Sequence, residues 1–197
     1  MEIKQEKAAL RAKIKELRRR LPQASVERWS QAICEKVLAL PVVRDAVCLM
    51  SYVSIGNEVA THDLIRALLA RGKQVAVPLL DPETEAIIPR VIFDFDSDLR
   101  PGAYGILEPR PKRSEPCQIT RLQTVIVPGL AFDVQGSRLG RGGGHFDHFL
   151  TRLCSSTKTI ALAYEFQVVP SVPTGPNDQP VHLIVTEKRL VESPRRP

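Results

Sequence analysis

The chain has 197 residues, which favours one domain of about 100–200 residues, or one with a short arm, over two. Hydrophobic residues make up 43% and charged residues 25%, a globular balance that excludes disordered, collagenous and solenoid classes. The formal net charge of +6 favours anionic partners, among them nucleotides, phosphates, polyglutamates and nucleic acid, without choosing between them.

Ile3, Leu10, Ile14, Leu17 and Leu21 recur at helical steps as far as Pro22, which predicts an amphipathic N-terminal arm. Lys4, Lys7, Arg11, Lys15 and Arg18 fall in a second arc beside it. Such a stripe is either a solvated face or a set of cations reaching over an anion. A second helix is expected from Ser25 or Glu27 to Leu40, stopped by Pro41. Then the pattern alternates. Residues 46–53 read as a buried strand, 61–71 as a helix capped by Thr61 and ended by Gly72, and 73–80 as another strand. Strand, helix, strand at this spacing predicts a parallel pair with a right-handed crossover.

Residues 87–95 suggest a further strand broken by Pro89, followed by a long Pro- and Gly-rich loop over 100–116. The sheet resumes at 124–128. After it come a glycine-dense turn, a helix to about Leu153, a strand at 158–164, a Pro-rich loop over 170–180 and a last strand at 181–186. Residues 1–191 are expected to form one α/β unit, a three-layer sandwich with a mostly parallel central sheet, helices on both faces and the helical arm. Residues 192–197 are expected to be a frayed tail.

No apolar stretch approaches the ~20 residues that a membrane-spanning helix needs, and the N-terminus carries no export signal. A cytoplasmic, monomeric protein with no membrane partner is expected. Cys34, Cys48, Cys117 and Cys154 are scattered and imply neither a disulfide framework nor a zinc cluster. Aromatic residues are only 5% and no zinc-finger or RNA-binding motif occurs, so nucleic acid is not an expected partner.

Five of the eleven glycines lie between Gly136 and Gly144, interleaved with Arg138 and Arg141 and followed directly by a helix start. A glycine-rich turn after a parallel strand lets backbone N–H groups approach an anion closely, and phosphate is the expected guest. The run is neither a Walker A loop nor the dinucleotide fingerprint, since no Lys-Ser or Lys-Thr follows and the glycine spacing differs. Asp147, in the first turn of that helix, is either an ordinary helix-start carboxylate or a Mg²⁺ ligand near phosphate oxygens. Asp178 is the candidate second carboxylate. Glu58 follows the strand at 46–53 on the same carboxyl edge, where it would bind the amino-pyrimidine edge of a ligand, orient a nucleophilic nitrogen or sit as a solvated turn residue. His145 and His148 lack a second cluster that would make a metal site, while His62 and His182 read as structural. No nucleophile elbow or reactive cysteine setting is present.

Val127-Pro128-Gly129-Leu130-Ala131-Phe132-Asp133 followed by the run from Gly136 to Asp147 resembles the signature of the 5-formyltetrahydrofolate cyclo-ligase (5,10-methenyltetrahydrofolate synthetase) family. Lys7 to Arg11, Ser51 to Thr61 and Tyr104 to Pro109 agree in order and spacing. The resemblance implies an ATP- and Mg²⁺-dependent enzyme that cyclises 5-formyltetrahydrofolate to 5,10-methenyltetrahydrofolate. It implies ATP contacts from Lys7, Arg11, Arg138, Leu139, Gly140, Arg141, Gly142, Gly143, Gly144, His145 and Phe146, with Arg141 on the transferring phosphoryl group. It implies folate contacts from Val53, Glu58, Tyr104, His145 and Phe146, catalytic roles for Arg141 and Glu58, and Mg²⁺ at Asp147 and Asp178. His145-Phe146 stands where the family has Tyr-Tyr, and His182 where it often has a further Asp. The alternative is a diverged folate or nucleotide binder with weak or no turnover.

Overall fold

The computed structural model describes residues 2–102 and 105–194. The chain opens with α1 (Glu2–Arg19), α2 (Gln23–Ala39) and α3 (Pro41–Arg44), then enters the sheet at β1 (Cys48–Ser51), crosses by α4 (His62–Ala70) and returns as β2 (Gln74–Leu80). Next come β3 (Ile87–Ile92), α5 (Phe95–Asp98), β4 (Leu99–Pro101), β5 (Leu107–Pro109) and β6 (Glu115–Pro116). The second half runs β7 (Thr124–Val127), β8 (Ala131–Phe132), β9 (Arg138–Leu139), α6 (His145–Leu150), β10 (Lys158–Leu162), β11 (Leu183–Val185) and β12 (Leu190–Glu192). No helix among the described residues is long and apolar enough to cross a membrane.

Eight strands form one sheet in the order β12-β11-β10-β7-β1-β2-β3-β6. The five inner strands from β11 to β2 are parallel, as the βαβ pattern predicts, and each flank is finished by antiparallel strands. Side-chain alternation sends Leu49 and Ile126 to one face, where they meet Ile33 and Val37 of α2 and Leu64 and Leu68 of α4. Met50, Val125 and Val127 point to the other face, against Phe149 of α6 and Phe132. The sandwich is three-layered, with each fully buried Leu, Ile or Phe contributing roughly 1.5–3 kcal/mol.

Several details differ from the pattern read off the sequence. Pro89 does not break β3, because it stands directly opposite Pro78 of β2 and its carbonyl accepts from Cys117 N–H on the other side. In an antiparallel ladder N–H and C=O of one residue point the same way, so neither proline is asked for a donor by the other strand. The stretch over 100–116 is not one loop, since β4 pairs with β5 and β6 with β3. Thr61 starts α4 without capping it: its hydroxyl donates to Tyr52 O at 2.8 Å and accepts from Ser54 N–H at 3.0 Å. The tail is held further than expected. Glu192 pairs with Leu183, and Ser193 Oγ donates to Gln135 O at 2.6 Å.

The arm also buries less than its pattern suggests. Ile14 is fully buried against Leu130, Ala131, Leu139 and Val172, with Leu10 beside it, but Ile3 and Leu17 remain exposed. Beneath the arm lies the β8–β9 hairpin, shaped by the buried Asp133. Its carboxylate accepts from Gln135 N–H and Ser137 N–H, both at 3.0 Å, and from Val172 N–H at 2.9 Å. Asp133→Ala strands these donors, and urea unfolding is expected to show a loss of about 2–3 kcal/mol.

Candidate active site

After β1 the chain goes to β2 on one side, and it returns at β7 on the other. Their carboxyl ends therefore diverge at a topological switch point, where a parallel sheet leaves a crevice. A cleft of about 230 Å³ opens there. Val53 and Ile55 beyond β1, Leu80 and Ile87 at the β2–β3 turn, Ile106 and Phe146 make its apolar walls, while Glu58, Arg138, Arg141 and Asp147 supply charge.

Glu58 is only 7% exposed and is held from three sides. Its carboxylate accepts from Ile55 N–H at 3.1 Å and from Arg141 Nη2 at 2.6 Å, and Arg18 Nη1 lies 3.7 Å away. Arg18 is itself buried. Its Nε donates to Asn57 O at 3.1 Å while Asn57 Nδ2 donates back to Arg18 O at 2.9 Å, a reciprocal clasp between α1 and the β1 loop. Burial lowers the Arg18 guanidinium from its usual value and the Glu58 charge opposes that shift. Tyr52 and Tyr164 close the floor by donating to Val59 O and Glu58 O at 2.9 and 3.0 Å. Burial raises both phenols, so they remain protonated donors.

The other lip is the glycine loop. Arg138, 3% exposed, donates from Nη2 to Asp147 Oδ1 at 2.6 Å and from Nη1 to Pro128 O at 3.3 Å. Its buried Nε has no partner among the described residues. Asp147 Oδ1 also accepts from Gln179 N–H at 3.1 Å, which brings the 170–180 loop to the cleft. One residue earlier, Asp178 accepts from Lys7 Nζ and from Gly175 N–H. Arg11 Nε donates to Gly140 O at 3.0 Å. The stripe on α1 thus reaches both loops, Arg11 touching the glycine loop and Lys7 the 170–180 loop.

Gly142 and Gly144 have φ of +119° and +75°, conformations that side chains rarely adopt. At Gly143 a Cβ would come within 2.6 Å of His145 Nε2, so glycine there makes space for that ring. Gly136 has a different task, turning the β8–β9 hairpin rather than facing the cleft. The helix expected to run to Leu153 ends at Leu150. With six residues it has a weak dipole.

Val53, Glu58, Arg138, Gly140, Arg141, Gly143, Gly144, His145, Phe146 and Asp147 share the cleft wall. Lys7, Arg11 and Asp178 approach from the α1 side, and Leu139 turns its side chain into the core under Ile14. Tyr104 lies outside the described residues. His145 Nδ1 is 3.0 Å from Glu85 O, His62 Nε2 is 3.1 Å from Ser54 O, and His182 Nδ1 meets Thr159 N–H and Oγ1. Among the described residues no group of three or more His, Cys, Asp or Glu is placed to hold a metal. Asp147 and Asp178 offer hard carboxylate oxygens at the loop, a donor set that suits Mg²⁺ when phosphate oxygens and water complete the shell.

Arg18, Asn57 and Gln179 are the polar positions that sequence reasoning missed as parts of the site. Only the basic stripe hinted at Arg18. Arg18→Met removes the side-chain half of the clasp and one of the cations facing Glu58, and denaturant titration is expected to show a loss of about 2 kcal/mol. Arg18→Lys should recover only part of it, because an ammonium cannot reproduce the planar fork.

The model of the 5-formyltetrahydrofolate cyclo-ligase family matches residues 3–187. The chain is 29% identical to 5-formyltetrahydrofolate cyclo-ligase of Haemophilus influenzae, over 90% of this chain and 95% of that protein. It is 27% identical to the mouse enzyme of the same name, over 92% and 93%. The fold superimposes on the solution structure of Aquifex aeolicus 5,10-methenyltetrahydrofolate synthetase with a TM-score of 0.84 and 30% identity, covering 96% of this chain and 93% of that one. With nearly its whole length matched by the family model, and a cleft built from the same signature residues, the chain belongs to the 5-formyltetrahydrofolate cyclo-ligase family.

Proposed function

We propose that this chain cyclises 5-formyltetrahydrofolate to 5,10-methenyltetrahydrofolate at the expense of ATP, releasing ADP and phosphate. The observation that carries the reading is one cleft whose apolar walls end at Glu58 and Arg141 on one side and at the glycine loop with Arg138 on the other.

A formamide oxygen leaves poorly. Transfer of the terminal phosphoryl group of ATP to that oxygen makes it a phosphate leaving group and the formyl carbon an electrophile. The neighbouring N10 amine then attacks that carbon, closing a five-membered ring; the C–O bond breaks, phosphate departs and N10 loses its proton. Each step is mainly a matter of position and charge.

Val53, Ile55, Leu80, Ile87 and Phe146 offer a dry slot for a flat bicyclic ring and keep water from the activated carbon. Glu58, fixed by Ile55 N–H, has the geometry to accept from the ring's N–H edge. Arg141 is half exposed at its side chain and already lies against Glu58, so a small swing takes its guanidinium between substrate and phosphoryl group. Arg138 has an N–H without an acceptor among the described residues, which a phosphate oxygen would satisfy. Lys7 and Arg11 would neutralise the rest of the triphosphate from above the loop. Asp147 and Asp178 are the residues that would hold Mg²⁺, whose charge would offset that of the phosphates.

The test is a coupled assay in which ADP release and the near-ultraviolet absorbance of the methenyl product are followed together. Both are expected to require 5-formyltetrahydrofolate and to rise in step, and Arg141→Ala should lower kcat by about 10²–10³-fold. ADP release that ignores the folate overturns the reading. Tight folate binding with no product at saturating ATP would instead favour a diverged binder, for which the His145-Phe146 pair in place of two tyrosines is the feature to blame.

A further inference from the structure

Beside β3, sharing Ile87 with the active cleft, lies a second cleft of about 390 Å³, bordered by Ile88, Pro89, Cys117, Ile119 and Arg152. Cys117 is the nucleophile on its wall, and the activity proposed above makes no use of it. Behind it, 3.7 Å away, sits the sulfur of Cys48, buried at the start of β1. Both are free thiols. Their backbones are anchored independently: Cys117 N–H donates to Pro89 O at 2.9 Å, and Cys48 N–H donates to Gln123 Oε1 at 3.2 Å. The two sulfurs thus lie in van der Waals contact, and an S–S bond requires that contact to shorten to ~2.05 Å.

We propose that Cys48 and Cys117 form a dithiol that hydrogen peroxide, entering by the second cleft, oxidises to a reversible disulfide. Cys117 reacts first because it lines the cleft, whereas Cys48 is not part of its wall. The Cys117 sulfur attacks the peroxide, the O–O bond breaks, and water leaves once the displaced hydroxide takes up the thiol proton. Cys117 is then a sulfenic acid. The Cys48 sulfur attacks it, the S–S bond forms, the S–O bond breaks, and the Cys48 proton leaves with the hydroxide as a second water. Two thiols are oxidised and one peroxide is reduced. The surroundings agree with this order. The hydrogen bond from Cys48 draws the Cys117 thiol below its ordinary value against the effect of burial, and the Arg121 charge acts in the same direction. Cys34, by contrast, is pushed up to about 12 by burial and is poorly reactive.

The experiment exposes reduced full-length protein to a small excess of hydrogen peroxide, alkylates it with iodoacetamide and maps the unreduced digest by mass spectrometry. A peptide pair joined through Cys48 and Cys117, two hydrogens lighter than the sum of its parts, should be recovered in about tenfold excess over oxidation at Cys34 or Cys154. It should vanish on treatment with dithiothreitol. In Cys48→Ala the reaction should stop at the sulfenic acid, trapped on Cys117 by dimedone, and in Cys117→Ala the remaining Cys48 should stay reduced. Oxidation confined to Cys34 or Cys154, or Cys48 oxidised as fast in Cys117→Ala as in the unaltered chain, overturns the proposal. The wild-type map is decisive even if a variant fails to fold.

Discussion

A carboxylate taken out of water must find positive charge or donors, and at Glu58 that demand organises the molecule. Its neighbours come from three separated segments: Arg18 from α1, Ile55 N–H from the β1 loop, and Arg141 from the glycine loop. Apolar contact joins α1 to the glycine segment through Ile14 and Leu139, and the polar partners of Glu58 add the β1 loop. The α1 arm buries little beyond Leu10 and Ile14, so its docking depends as much on the clasp between Arg18 and Asn57 as on hydrophobic contact. One compensated charge thereby fixes the arm, the floor of the cleft and the orientation of the exposed Arg141.

The sheet topology sets where this happens. Connections leave β1 and β7 in opposite directions, so the space between their carboxyl ends is free of crossing backbone. Glycines then act individually in the loop that borders it. Gly142 and Gly144 take backbone conformations denied to most residues, Gly143 leaves room for His145, and Gly136 belongs to a neighbouring hairpin. A crowded glycine run is several local solutions in sequence and not a single flexible hinge.

Much of this is visible before any coordinates. The parallel core follows from buried strands alternating with helices; Glu58 stands out because it lies just past a strand that the pattern places, and Arg138, Arg141 and Asp147 because they lie in or directly after the glycine-dense run. Long-range pairing is harder to see. Arg18 differs from Lys15 or Arg11 in the sequence only by its phase on α1, and nothing local says that Asn57 and Glu58 will fold beneath it. Gln179 contributes a backbone N–H, which no side-chain pattern announces. Strands of two or three residues, such as β6, β8, β9 and β12, are too short for alternation to register. Pro89 looked like a breaker because its tolerance depends on Pro78 standing opposite, a fact of register and not of sequence.

Those short strands have a further meaning at the two borders of the sheet. On one side the last rung is Glu115-Pro116, on the other Leu190 to Glu192, and both run counter to the strands they cover. A foreign chain seeking to extend the sheet would find a proline without a donor at one border and a three-residue segment ending in a carboxylate at the other. The long, apolar, hydrogen-bond-rich interior that makes the crevice possible is thus sealed at its margins against self-association into larger aggregates.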